Sequence, residues 1–435
     1  MKKLALIFAL TYSLFTTAQD RFQKIDSLLS YLNKNDKFMG SLCIRDGENV
    51  VFNKAYGFAD VEKNISADRL TKYKIGSISK TFTAVMIMQL IEEKKLNLQT
   101  KLNRFYPNIP NAEKISIYEL LHHRTGIVDY VNQDTTFHQS LDKKHTKEEI
   151  IKVISGNASI FAPGIKYEYS NSNYFLLGCI IETITKKSFA ENLETRIAKK
   201  ANLSNTFYSE NRINSTNNES YSFLHDGTKW NQMPESHNSI PFSSGGITSN
   251  PADLTRFLHA LFHNKLVNKK SLEQMTDIVE GYGIGLTKIP FGERKFYGHG
   301  GVIDQYRSLM GYYPAEDLSY ALICSSTNYN LNDAVIGILS IYYKMPFPFP
   351  VFTKVDTAEL AKFTGTYASK ELPIKIMLSE KNGDLIAQAT GQSAFPLTFK
   401  EEKTFIFAPA GIEMIFGENS FVLKQGGMSF NFSKE

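Results

Sequence analysis

Residues 71–91, TKYKIGSISKTFTAVMIMQLI, decide how this chain is read. A turn at Gly76-Ser77 leads into Ala84, Val85, Ile87, Met88, Leu90 and Ile91, a run with almost no polar face, which predicts a buried helix. A serine at the first turn of such a helix has backbone N–H groups and the positive end of the helix dipole beside its hydroxyl. Lys80, three residues on, falls on the same face one turn along. Burial disfavours the charged form of an amine, so a lysine placed there is able to accept the serine proton. Ser77-Ile-Ser-Lys80 therefore has the form of an acyl nucleophile with an adjacent base. The pattern is short, and Ser140-Leu-Asp-Lys143 repeats it in a polar stretch with no buried helix after it. Context separates the two copies.

Toward the N-terminus the chain opens MKKLALIFALTYSLFTTAQD. Two lysines, an apolar run and the small residues Thr16-Thr17-Ala18 read as a signal peptide over residues 1–18. The run is shorter than the roughly 18 residues a spanning helix needs, and no cysteine stands directly after the cleavage site to carry a lipid. The expectation is an exported protein, periplasmic or secreted, with no transmembrane segment. A net charge of +5 over 435 residues, lower once Lys2 and Lys3 are removed, does not suit a nucleic-acid partner, and no basic cluster carries interleaved aromatics. Cys43, Cys179 and Cys324 sit in apolar surroundings without metal spacing and read as buried free thiols, with one disulfide as the alternative.

Around the central stretch, residues 20–34 have helical spacing, and Gly40–Arg45 with Val50–Phe52 flank a hairpin turn at Asp46-Gly47. His122 and His123 invite a catalytic reading, against the plainer account of a helix end capped by Gly126. Tyr169-Ser-Asn171 precedes another apolar helix; Tyr-x-Asn also occurs at Tyr31, Tyr106 and Tyr130, but only the copy at 169 has a Gly/Pro turn before it and such a helix after it. A phenol there is suited to relaying a proton and an amide to holding a substrate carbonyl. Ser249-Asn250-Pro251 starts a helix carrying His259 and His263; with no Glu after the first and no third ligand evident, these read as surface histidines. Three strands follow near 295–301, 305–314 and 319–326, and His299-Gly300-Gly301 in the first of them suggests close approach by a ligand or another backbone. His225-Asp-Gly227 repeats that triplet's spacing by chance. MPFPFPVF, residues 345–352, reads as a linker, and the alternation beyond it predicts seven or eight short strands in a small barrel or sandwich.

Each triplet is common, but IGSISKTFTA, YSNSNYFLLG and GHGGVIDQY in this order resemble the serine β-lactamase and penicillin-binding-protein superfamily. The likeness is nearest to its class C-like branch of D-alanyl-D-alanine carboxypeptidases, D-aminopeptidases and esterases. ELLHHRTGI and SSGGITSNPADLTRF look like further signatures of that branch. The resemblance implies an α+β fold: a five-stranded antiparallel sheet flanked by helices, an all-helical lobe and a cleft between them. It also implies a small lipocalin-like barrel as the C-terminal domain. The corresponding division is 1–18 signal peptide, 19–344 hydrolase domain, 345–356 proline-rich linker and 357–435 barrel.

By the same resemblance, Ser77 is the nucleophile, Lys80 its proton partner and Tyr169 the general base and acid. Asn171, His299 and Gly301 bind substrate, and the backbone N–H groups of Ser77 and Val302 form the oxyanion hole. The chemistry needs no metal and no cofactor. His299 stands where β-lactamases have the lysine of Lys-Thr-Gly, which favours an ester or a D-amino-acid peptide over a β-lactam as the acyl substrate. As a histidine of ordinary pKa it would hold a substrate carboxylate only below neutrality, or, left neutral, would hydrogen-bond Tyr169 or the serine. The alternatives are a class C-like β-lactamase and a penicillin-binding sensor that traps an acyl group without turnover.

Overall fold

At the Asp46-Gly47 turn Gly47 takes φ 56°, and strands Phe38–Asp46 and Asn49–Tyr56 pair antiparallel around it. The structure is a computed structural model that describes residues 20–226, 228–352, 355–381, 383–392, 394–407 and 410–435. The segment read as a signal peptide, residues 1–18, lies outside these. The hairpin belongs to a six-stranded sheet whose strands run, side by side, Thr287–Phe291, Arg294–Ile303, Tyr306–Tyr313, Leu318–Thr327, Phe38–Asp46 and Asn49–Tyr56. The expected sheet is therefore present, with Thr287–Phe291 added at its edge. That edge strand pairs only as far as Thr287↔Gly298, so residues 299–303 have, among the described residues, a paired strand on one side only.

The chain divides into two compact units, one made of 40–222 and 233–325, the other of the segments up to Met39, 223–232 and 326–435. In the first, the predicted helix runs from Ser79 to Glu92 with every residue from Ser79 to Leu90 buried. It packs against helix Asn171–Thr185 and the short helix Phe242–Gly245. The latter two approach so closely that a Cβ on Gly178 would lie 2.0 Å from Ser243 Oγ. Asn250 caps helix Pro251–Phe262 by accepting from Asp253 N–H, with proline in the first turn, where its missing N–H costs nothing. This helix lies on the sheet, Phe262 stacking on Tyr312 with ring centroids 4.2 Å apart. One expectation fails on it. His259 is not a surface histidine: only 3% exposed, it lies on the sheet-facing side with Thr255 and Phe262, whereas His263 is open to solvent.

In the second unit, residues 365–434 close into an eight-stranded barrel, the last strand returning to the first through Tyr367↔Lys434 and Ala368↔Ser433. Alternation fills its interior with Phe405, Met414, Phe416, Phe421 and Phe432, joined by Leu360 and Phe363 of helix Thr357–Phe363. All three cysteines are buried and free. Among the described residues, no helix is long and apolar enough to cross a membrane.

Candidate active site

Gly76 forces the turn before Ser77. Its φ is 52°, and a Cβ there would stand 2.7 Å from Val302 N, so no other residue satisfies both conformation and space. Gly76–Ile78 form a single 3-10 turn that runs directly into helix Ser79–Glu92, placing Ser77 just ahead of the helix and not in its first turn. Strand Arg294–Ile303 comes equally close, because a Cβ on Gly301 would lie 2.0 Å from Ile75 O. Buried Lys74 holds the same junction: its Nζ donates to Ser236 O at 2.7 Å and pairs with Glu235 at 3.0 Å and Asp304 at 3.6 Å. The Gly76→Ala variant is expected to lose about 2–4 kcal/mol of stability through the left-handed backbone and the clash with Val302. Urea unfolding reads this; an unchanged midpoint would mean that the turn relaxes freely.

Two polar side chains converge on Ser77. Lys80 Nζ lies 3.0 Å and Tyr169 OH 2.9 Å from Ser77 Oγ. Lys80 Nζ also donates to Asn171 Oδ1 at 2.7 Å and to Ser244 O at 2.8 Å. Complete burial lowers the Lys80 pKa to about 7, Asp129 opposing the shift. A neutral amine has two N–H bonds, enough for these two obligate acceptors, and its lone pair then faces Ser77 Oγ. Tyr169 moves the other way: burial pushes its pKa up, so it stays a protonated donor to Ser77. Asp129 Oδ2 accepts from Asn171 Nδ2 at 2.9 Å, which leaves the amide oxygen turned toward Lys80.

His299 departs from what an ordinary histidine would do here. Its Nε2 lies 2.9 Å from Tyr282 OH and its Nδ1 lies against Gly300 O, so Nδ1 donates and Nε2 accepts. It reaches neither Tyr169 nor Ser77 by a hydrogen bond. Burial, with Lys80 nearby, lowers its pKa to about 4, so it is neutral from pH 6 to 8 and does not change charge around neutrality. His123, at φ 55° after helix Ile117–Leu121, lies tilted against the Tyr169 ring with centroids 4.3 Å apart. Its Nδ1 accepts from Ser170 N–H and Asn173 Nδ2, both at 3.2 Å. His122 turns away, its Nδ1 lying 3.0 Å from Tyr118 O.

The structure thus brings Ser77, Lys80, Tyr169 and Asn171 together, sets Gly301 and the Val302 backbone against the turn that carries Ser77, and holds His299 behind Tyr282. The second Ser-x-x-Lys lies in turns, where Ser140 Oγ meets His145 Nε2 at 3.1 Å. Sequence reasoning weighed His123 and preferred a helix-end role for it, and it passed over Asp129, Ser244 and Tyr282 as site residues. Only Asp129 leaves a local trace, an Asx-type turn in which its Oδ1 accepts from Val131 N–H at 2.9 Å.

A family model described as Beta-lactamase matches residues 34–339. Protein flp of Staphylococcus aureus (strain MRSA252) is 32% identical over 199 residues, 44% of this chain and 39% of that protein. The chain therefore spans about two fifths of the length of that relative. Penicillin-binding protein 4* of Bacillus subtilis (strain 168) is 24% identical over 447 residues, covering 94% of this chain and 98% of the relative. Among solved structures, D-amino acid amidase from Ochrobactrum anthropi SV3 complexed with D-phenylalanine superimposes with a TM-score of 0.67 at 24% identity, over 75% of this chain and 99% of that one. The octameric penicillin-binding protein homologue from Pyrococcus abyssi gives 0.65 at 22% identity over 95% and 99%. At these identities the two structures speak to the fold.

Proposed function

The chain belongs to the beta-lactamase family, and from that premise we propose that it is an exported serine acyl-hydrolase acting on an ester or a D-amino-acid amide or peptide. The observation that carries this reading is the meeting of Lys80 Nζ and Tyr169 OH on Ser77 Oγ, at 3.0 and 2.9 Å. Ser77 Oγ attacks the acyl carbonyl as neutral Lys80 takes its proton, and the Ser77 and Val302 N–H groups receive the developing oxyanion. That proton returns through Tyr169 to the departing alcohol or amine, leaving an acyl-Ser77 ester. Water then attacks by the reverse relay and frees the acid and the serine. Asn171, its amide oriented by Asp129, is positioned to meet the amide of the acyl side.

The division of labour differs from a tyrosine base. Because Tyr169 is held protonated, Lys80 is the resting-state base and Tyr169 the donor. The substrate preference rests on His299. A neutral imidazole offers no cation for the carboxylate of a penicillin or of a D-Ala-D-Ala peptide, which favours uncharged esters and amides. The export reading rests on the sequence of residues 1–18.

The test is a pH profile on a neutral ester and an anionic D-peptide. For both, kcat/KM is expected to rise with pH and level off with a midpoint near 7, since the base form of Lys80 is needed. KM for the anionic peptide should not rise between pH 6 and 8, because His299 loses no charge there. A peptide KM that climbs over this range while the ester KM stays flat would restore His299 as a cationic anchor and overturn the substrate preference.

A further inference from the structure

On the sheet side of helix Pro251–Phe262, in the unit that also carries Ser77, three elements converge without any part in the site described above. His259 and His263, four apart at the helix end, stack at 4.0 Å. Asp317, in the turn between strands Tyr306–Tyr313 and Leu318–Thr327, places Oδ2 at 3.0 Å from His263 Nε2 and 3.6 Å from His259 Nε2. Glu48, in the Asp46–Asn49 turn, brings Oε1 to 3.8 Å from His259 Nε2. The two turns are fixed to each other by Gly47 N–H donating to Asp317 O at 2.9 Å.

Two observations separate this cluster from a chance meeting of polar groups. His259, 3% exposed, keeps its Nε2 buried with no hydrogen-bond partner, and carboxylate oxygens of Asp317 and Glu48 stand 3.6 and 3.8 Å from it. An unmet imidazole nitrogen in such a place costs on the order of 1–3 kcal/mol unless something else meets it. Second, Tyr312 OH donates to Asp317 Oδ1 at 2.7 Å, which leaves Oδ2 turned to both imidazoles. Ligating carboxylates are oriented by outer hydrogen bonds of this kind. One atom each of His259, His263 and Asp317 lies within 4.8 Å of the others, while donors around a tetrahedral zinc stand roughly 3.3 Å apart, given bonds of about 2.0–2.1 Å.

We infer that His259, His263 and Asp317, with Glu48 closing the fourth position, bind a divalent transition metal of the zinc type. Two imidazoles favour zinc, nickel or copper over magnesium and calcium, which take oxygen ligands. The ion replaces the proton on His263 Nε2, which passes to Nδ1 or to water, and two carboxylates balance its charge. Lys265, 3.7 Å from Glu48 Oε1, has to give up that pairing for Glu48 to swing in. Such an ion would bind two hairpin turns to a helix end and would be structural, because the acyl chemistry at Ser77 draws on none of these residues.

The test is a zinc titration of the full chain against a chromophoric chelator, with thermal unfolding followed in parallel. The wild type is expected to bind one zinc and to gain in Tm, with magnesium producing neither effect. His263→Gln, at an exposed position, should bind zinc about 100-fold more weakly or worse and lose the Tm gain, and Asp317→Asn should do likewise. Wild type that takes up no zinc, or His263→Gln that holds it as tightly as wild type, overturns the inference. Ester hydrolysis does not enter this readout, so its outcome is separate from that of the proposed function.

Discussion

Ser77→Ala is expected to lose hydrolysis of any ester or amide substrate by about 10⁴–10⁶-fold while unfolding at the wild-type urea concentration. Ser77 is only half-buried and lies in a turn whose shape is imposed by Gly76 and Gly301, so removing its hydroxyl leaves the backbone as it is. Lys80 keeps Asn171 Oδ1 and Ser244 O as acceptors, and Tyr169 loses only one hydrogen bond. The loss therefore falls on the reaction. A stable variant retaining more than about one hundredth of wild-type kcat/KM would mean that the acyl group is carried elsewhere or that water attacks directly.

The second large effect concerns the relay. Lys80→Met and Tyr169→Phe should each lower kcat by roughly 10²–10⁴, the usual range for a positioned acid or base. Both groups act on one oxygen and pass one proton, so the double variant should lose far less than the product of the single losses. The pH dependence sharpens this: the rising limb near 7 belongs to Lys80 and should vanish from the residual activity of Lys80→Met but persist in Tyr169→Phe. Losses that multiply, or a limb that survives in Lys80→Met, would assign the two residues to separate steps.

Much of the fold could be read from short-range pattern. The all-apolar run after Ser77, the Asp46-Gly47 hairpin and the alternation beyond residue 364 each specify an element by the side chains it buries. Ser77, Lys80, Tyr169 and Asn171 were recoverable because each sits beside the start of a buried helix, a context that their triplets share with no other copy in the chain. What escaped depends on contacts between distant parts of the chain. Ser244 contributes a backbone carbonyl, Tyr282 and His123 act as aromatic and hydrogen-bonding neighbours, and Asp129 reaches Asn171 across 42 residues of chain. The charge of His299 stayed open between a cation and a neutral imidazole for the same reason: its pKa is set by burial and by Lys80, neither of which the triplet reveals. His259 shows the limit of spacing, since its carboxylate neighbour Asp317 arrives from another hairpin.

The central claim, that Ser77 forms a covalent acyl-enzyme, is tested most directly by intact-protein mass spectrometry after treatment with a fluorophosphonate, an activated ester or penicillin. The fluorophosphonate should add one adduct mass to the wild type, on the peptide carrying Ser77, and none to Ser77→Ala. An adduct of equal yield on Ser77→Ala, or one that maps to Ser140 in the wild type, would contradict the account.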